Sequence, residues 1–374
     1  MKKLVSLLLA ATLAVGCLVG CGGGEQGGNN TAGYEIALVT DKGNIDDKSF
    51  NQGAWEGVVA YAEKNNITHQ YYKPEEASDE GYLKAIQLAV DGGAKVVVCP
   101  GYLFEAAVYS AQTQFSDVKF ILLDGEPHTP DYATYKTEAN TACVMYAEEE
   151  AGFLAGYAAV IDGYTTLGFE GGMAVPAVVA FGYGYLQGIE AAAADLGLAD
   201  GSVKVFYHYT GDFAETDANK ATAKGMIQSG AQLIFGCGGS VGKSVFAAAA
   251  EGQIKTIGVD VNQKADSDTV ITSAMKGLGA SVQAVLTSIY DNSFAEKYAG
   301  KTTYFTAANN GVGLPDDYER FTKFTKEQYE AIYAKLVDGT IDPVRSFDIA
   351  DAAAVTADQL AKELGLKKVV VEKR

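Results

Sequence analysis

The chain has 374 residues, with 47 acidic against 29 basic side chains and a net charge of −18. A surface this acidic repels a phosphate backbone, which argues against DNA or RNA as a partner. Five cysteines are present, and Cys99, Cys143 and Cys237 show no short metal-ligand spacing, so neither a structural disulfide nor a zinc site is expected. Cys99 and Cys237 each end an apolar run and read as buried thiols.

In chain order, Lys2 and Lys3 precede an apolar run from Leu4 to Gly20. The run is too short and too rich in small residues to span a membrane. It ends in Leu18-Val19-Gly20-Cys21 and resembles a bacterial lipoprotein signal, with Cys21 as the lipidated residue; the other candidate, Cys17, has Ala14 rather than Leu three positions before it. Residues 1–20 are therefore expected to be a leader, and 21–33 a flexible glycine-rich tether. The expected location is the cell membrane, lipid-anchored and facing away from the cytoplasm, where most ATP-driven and NAD-dependent chemistry is out of reach.

The remaining chain alternates strand-like and helix-like segments. Strands are predicted at Glu35–Val39, His69–Tyr72, Lys95–Cys99, Val118–Leu123, Thr165–Phe169, Val203–Tyr207, Gln232–Phe235, Lys255–Val259 and Val270–Thr272. Between them the patterns predict helices at Phe50–Asn65, Asp79–Gly92, Phe104–Phe115, Ala147–Ile161, Val178–Leu196, Ala218–Ser229, Lys243–Gly252 and Leu278–Tyr290. Strict β/α alternation with short apolar strands argues for parallel sheets covered by helices on both faces. In such sheets ligands sit beyond the carboxyl ends of the strands. Polar residues just after strands are then candidates: Asp41, Asp124, Gly238, Gly239 and Asp260.

Three motifs imitate catalytic sites. Gly238-Gly239-Ser240-Val241-Gly242 matches a nucleophile elbow, but His69, His128 and His208 all precede Ser240. Gly242-Lys243-Ser244 imitates a phosphate-binding loop, yet no upstream glycine has the required spacing. Gly182-Tyr183-Gly184-Tyr185-Leu186-Gln187-Gly188 lies in a helical stretch and reads as small residues for close helix packing. No catalytic residue, metal or cofactor is expected.

The densest signal is Ala37–Gly57, ALVTDKGNIDDKSFNQGAWEG, read as strand, polar loop and helix start. Asp47 or Ser49 can cap the helix starting at Phe50. Phe50 then sits at the sheet mouth, where an aromatic can stack on a flat ligand. With this block, Gly168-Phe169-Glu170-Gly171-Gly172-Met173, Gly258-Val259-Asp260-Val261-Asn262-Gln263, Thr272-Ser273-Ala274-Met275-Lys276 and Gly311-Val312-Gly313-Leu314, the chain resembles the basic membrane lipoproteins. That family includes purine-nucleoside receptors, the substrate-binding components of nucleoside ABC transporters.

The resemblance implies an α/β type I periplasmic-binding fold, with two Rossmann-like lobes joined by a three-segment hinge. The expected lobes are 34–141 plus 275–308 and 142–274 plus 309–374, with crossings near Asn140–Val144, Ser273–Lys276 and Thr306–Gly311. It further implies that Phe50 stacks one purine face, near Asn51, Asp41 and Asp46 or Asp47. Asp124 accepts from the base edge, and Phe181 stacks the other face. Asp260 and Lys276 bind the ribose hydroxyls, with backbone near Gly239. The implied partners are a purine nucleoside, ABC permease subunits and the membrane through the lipid, for a monomeric protein. A sugar or autoinducer receptor on the same fold is the alternative, with an exported hydrolase or a transcription regulator further behind.

Overall fold

A computed structural model describes residues 33–347 and 351–374. Cys21, the leader and the tether residues before Gly33 lie outside the described residues. The order of elements is β1 (Ile36–Val39), α1 (Phe50–Asn65), β2 (His69–Tyr72), α2 (Asp79–Asp91), β3 (Val96–Pro100), α3 (Glu105–Gln114), β4 (Lys119–Leu123), β5 (Thr141–Tyr146), α4 (Glu148–Ile161), β6 (Thr166–Gly171), α5 (Pro176–Asp195) and β7 (Val203–Tyr209). Then come α6 (Asp217–Gln228), β8 (Leu233–Cys237), α7 (Val241–Gly252), β9 (Lys255–Asp260), β10 (Val270–Lys276), α8 (Leu278–Tyr290), α9 (Phe294–Lys297), β11 (Lys301–Phe305), β12 (Val312–Gly313), α10 (Lys326–Val337), α11 (Ala357–Glu363) and β13 (Val369–Lys373).

Two sheets form. The first runs β11-β5-β4-β3-β1-β2 and the second β12-β10-β9-β8-β6-β7-β13. All pairings are parallel except the short β12 against β10. Central strands such as Val96–Pro100 and Leu233–Cys237 are buried along their whole length, as expected of parallel strands covered by helices on both faces. The four strands absent from the sequence reading, β5, β11, β12 and β13, are explained by position. β11 is an edge strand with no buried residue; β13 is an edge strand of five residues with only Val369 and Val371 buried; β12 has two residues; and β5 follows a long loop.

The glycine-rich stretch at Gly182–Gly188 lies inside α5, packed against α4. A Cβ at Gly184 would stand 2.0 Å from the Glu149 carbonyl oxygen and one at Gly188 2.0 Å from that of Phe153. Only glycine permits this approach of two helix backbones, so the motif is a packing surface rather than a dinucleotide loop.

The chain passes between the sheets three times: at Tyr146–Glu148, at Lys276–Leu278 and through residues 306–311. Two boundaries move relative to the sequence expectation. Thr141–Val144 is laddered to Phe120–Leu123, so the first lobe keeps the chain through Tyr146 rather than 141. Met275 pairs with Asp260 in the second sheet, so Met275 and Lys276 belong to the second lobe. In both cases a strand continues its ladder to the rim before crossing, because a break within it would orphan buried backbone groups.

Glu170 on β6 is wholly buried, and neither carboxylate oxygen has a hydrogen-bond partner among the described residues. Burial raises its pKa from 4.5 to about 8. The folded state therefore binds this proton more tightly than the unfolded chain, and stability falls as pH rises between those values. The expected slope approaches about 1.4 kcal/mol per pH unit. In urea titrations from pH 5 to pH 8, Glu170→Gln should gain steadily on the unsubstituted protein; a constant difference across that range would refute a protonated Glu170.

Candidate functional site

The loop after β1 builds the first wall of a cleft between the two sheets. Asp47 terminates it by capping α1. Its Oδ1 accepts from the Ser49 and Gln52 N–H groups at 2.8 and 3.1 Å, and its Oδ2 accepts from Asn51 N–H at 3.0 Å. Ser49, the other cap candidate, instead donates its hydroxyl to Asp260 of the second sheet. Asn51 spends its amide inside the loop. It donates to Asp41 Oδ1 (2.8 Å) and Asp47 Oδ2 (2.9 Å) and accepts from Asp41 N–H (3.1 Å). Asp47 and Asn51 therefore shape the cleft more than they offer hydrogen bonds to it. Their geometry fixes Phe50, the first residue of α1, at the cleft surface.

The other polar groups arrive at strand ends. Asp124 and Asp260 follow and end β4 and β9, with φ of +56° and +66°. Two non-glycine residues in the left-handed region, at equivalent places in the two lobes, are local strain held at a site. Lys276 ends β10 and is paired with Asp124; its Nζ also stands 2.9 Å from Glu148 Oε1. Glu148 is in turn 2.6 Å from Arg345 Nη1.

Asp41, Gly43, Asp47, Phe50 and Asn51 face Asp260, Lys276, Gly238 and Gly239 around one cleft, with Asp124 beside them. Nine of the ten candidate residues meet there. Asp46 does not: its side chain is exposed, and only its backbone carbonyl is used, accepting from Lys243 Nζ at 3.2 Å. Phe181 lines the cleft but is 2 % exposed and packs edge-on against Phe235.

Phe213 was missed by the sequence reading. It lies in the turn after β7, lines the cleft, and covers Gly172, Gly238 and Gly239, whose added Cβ atoms would come 2.5 to 3.1 Å from its atoms. The rule that singled out polar residues after strands passes over an aromatic one, although Phe213 lies in the loop that follows β7. Tyr102 and Leu103 line the same cleft, and the Tyr102 hydroxyl meets that of Tyr132 at 2.7 Å.

Burial dominates the electrostatics. It pushes Asp41 to about 6, against hydrogen bonds from Gly43 and Asn51. It also raises Asp124 and Asp260, opposed by the Lys276 ammonium. Burial works against that ammonium too, but Asp124, Glu148 and Asp260 together outweigh it and raise its pKa. One Asp124 oxygen, Oδ1, has no hydrogen-bond partner. Ser240 of the elbow-like motif stands at the start of α7 with no side-chain cap bond, and its N–H donates to the Phe213 carbonyl at 2.9 Å.

The same fold and residue order recur in known proteins. A family described as ABC transporter substrate-binding protein PnrA-like, Bmp, matches residues 35–346. The chain belongs to the Bmp family. A Bmp relative from Lactococcus lactis subsp. cremoris, the ABC transporter nucleoside-binding protein BmpA, is 28% identical over 366 residues, covering 91% of this chain and 98% of that one. Basic membrane protein A1 of Borrelia garinii subsp. bavariensis is 30% identical over 330 residues, covering 87% and 89%. Among solved structures, an ABC transporter solute-binding protein from Aeropyrum pernix K1 superposes with a TM-score of 0.73 at 21% identity, over 84% of this chain and 94% of that one. The fold is thus the type I periplasmic-binding architecture, and the Bmp chain is a substrate-binding protein of the ABC transport class. No helix among the described residues is long and apolar enough to cross a membrane.

The Lys276 pairing gives a direct test of the cleft electrostatics. Lys276→Met leaves Asp124 and Glu148 without their shared cation, which should cost about 3–5 kcal/mol at pH 8. The cost should shrink towards pH 5, as Asp124, whose pKa is raised, takes up a proton. Thermal unfolding of both proteins at the two pH values measures it; a pH-independent cost would show that the ion pair is not what was lost.

Proposed function

We propose that the cleft captures a nucleoside, preferentially a purine nucleoside, and that the protein delivers it to the permease of an ABC importer. In this reading the protein is a monomer anchored through lipid on Cys21 outside the cytoplasm, and hinge bending at the three crossings traps the ligand. The observation that carries the reading is the pairing of aromatic and polar walls. Phe50 from the first lobe and Phe213 from the second line one cleft with Asp124, Asp260 and Lys276. Stacking groups from opposite lobes suit a flat base.

Unspent hydrogen-bonding capacity suits a polar ligand. The Lys276 ammonium has three donors, of which one goes to Asp124, while Glu148 is held to it as an ion pair. Asp124 Oδ1 is unclaimed. Asp260 uses Oδ2 on Ser49, leaving Oδ1 for a hydroxyl. Asp41 engages only Oδ1, with Gly43 and Asn51, and its other oxygen is available to the N–H edge of a base. Phe213 takes the second stacking position in preference to Phe181, whose ring is built into the wall. The nucleoside-binding relative from L. lactis supports the same ligand class.

Calorimetric titration with guanosine, inosine, adenosine, cytidine and ribose tests this. Purine nucleosides should bind at one site and ribose should not. Phe50→Ala and Phe213→Ala should each weaken binding by about 1–3 kcal/mol, the scale of base–aromatic stacking, with Phe181→Ala lowering stability more than affinity. Binding of ribose without nucleosides would replace this reading with a sugar receptor.

A further inference from the structure

Gln263 lies outside the cleft lining, yet its side chain spans the two lobes. It is 1 % exposed. Its Oε1 accepts from Val259 N–H at 2.8 Å, and its own N–H donates to Ser273 Oγ at 3.1 Å. Both contacts tie it to the second lobe. Its Nε2 then donates across to the Lys48 carbonyl of the first lobe at 2.7 Å.

Both partners are prepared for this bond. Lys48 presents its carbonyl from a left-handed backbone, φ +62°. Gly258 makes room for the amide, since a Cβ there would lie 2.4 Å from Gln263 Oε1. The same loop is gripped by the second lobe at two more points, Asp46 O by Lys243 and Ser49 by Asp260. Of the three grips, Ser49–Asp260 involves a residue of the cleft lining and Lys243–Asp46 is exposed. The Gln263 bond is neither.

We propose that Gln263 is a positioning residue that clasps the loop 43–49 to the second lobe through the Lys48 carbonyl, setting the closed population and so the rate of ligand escape. The inference rests on the nucleoside-binding reading for its ligand but not for its geometry. A bond made only when the lobes are together stabilises the closed state whatever occupies the cleft, and affinity follows the population of the binding-competent state.

The test uses the described chain with spin labels at Lys84→Cys and Gln228→Cys, one helix position in each lobe. The native Cys99, Cys143 and Cys237 are buried. Without nucleoside, Gln263→Leu should shift the interlobe distances towards longer values. With nucleoside it should raise koff about fivefold to tenfold, the worth of one buried hydrogen bond, and leave kon within about twofold. Gln263→Glu places an acceptor against the Lys48 carbonyl. It should behave like the Leu variant at pH 8 and recover towards the unsubstituted protein at pH 5, where a protonated carboxyl can donate again. A structural role alone would not produce that recovery.

Unchanged distances in both variants would overturn the proposal, as would a raised koff with no change in distance or no acid recovery in Gln263→Glu. Should the unsubstituted protein bind no nucleoside, the functional reading fails while the distance measurement still decides the clasp. If Gln263→Leu does not fold, the acid recovery of interlobe distances in Gln263→Glu decides it alone.

Discussion

A buried ammonium that cannot be left unpaired organises this molecule. Lys276 has a side chain only 2% exposed, and an isolated charge in that setting is costly unless carboxylates surround it. Asp124 comes from the rim of the first sheet and Glu148 from the start of α4 in the second lobe. The ammonium thus holds the carboxyl ends of two sheets against one another. It also lies 4.7 Å from the Phe50 ring centroid and 5.3 Å from those of Tyr146 and Phe181, so aromatic faces complete its surroundings. Arg345, from the segment after α10, neutralises Glu148 and donates to the Tyr146 carbonyl at 2.6 Å, binding the first crossing to the same network.

Around this centre the site divides into groups that build and groups that remain available. Asp47 and Asn51 turn inward on their own loop and fix where α1 begins. Asp124, Asp260, Lys276 and one oxygen of Asp41 keep capacity that the protein does not use. The division follows from geometry. A cap must spend its oxygens on the N–H groups it covers, whereas residues at strand ends in left-handed turns aim their side chains beyond the sheet. Strain at Asp124 and Asp260 is tolerated because the ladders of β4 and β9 run up to those positions and fix the backbone there.

Much of this was legible in the residue order. The β/α alternation gave parallel sheets covered by helices, the resemblance gave two lobes, and the rule for strand ends found Asp41, Asp124, Gly238, Gly239 and Asp260. It passed over Phe213 because it selects polar residues and glycines after strands, and Phe213 is neither. The strands β11 and β13 were illegible for a different reason. β11 has no buried residue, so its periodicity resembles that of a loop, and β13 buries only Val369 and Val371, too short an alternation to stand out. Asp46 shows the converse limit. Its place in a dense acidic motif suggested the site, but adjacent residues in a tight turn point different ways, and only Asp47 points in.

By itself the sequence determined the fold class and the strand ends at which ligand-facing groups gather, because hydrophobic period and turn chemistry are local properties written residue by residue, while the family was carried by the order of its motifs. The tertiary structure alone decided which of those groups pair with one another. That Lys276 donates to Asp124, that Ser49 serves Asp260 rather than its own helix, and that Gln263 reaches the Lys48 carbonyl are all consequences of bringing two sheets rim to rim. Sequence separations of 152 to more than 200 residues vanish only in the folded chain, and no local pattern records which distant partner a buried polar group will find.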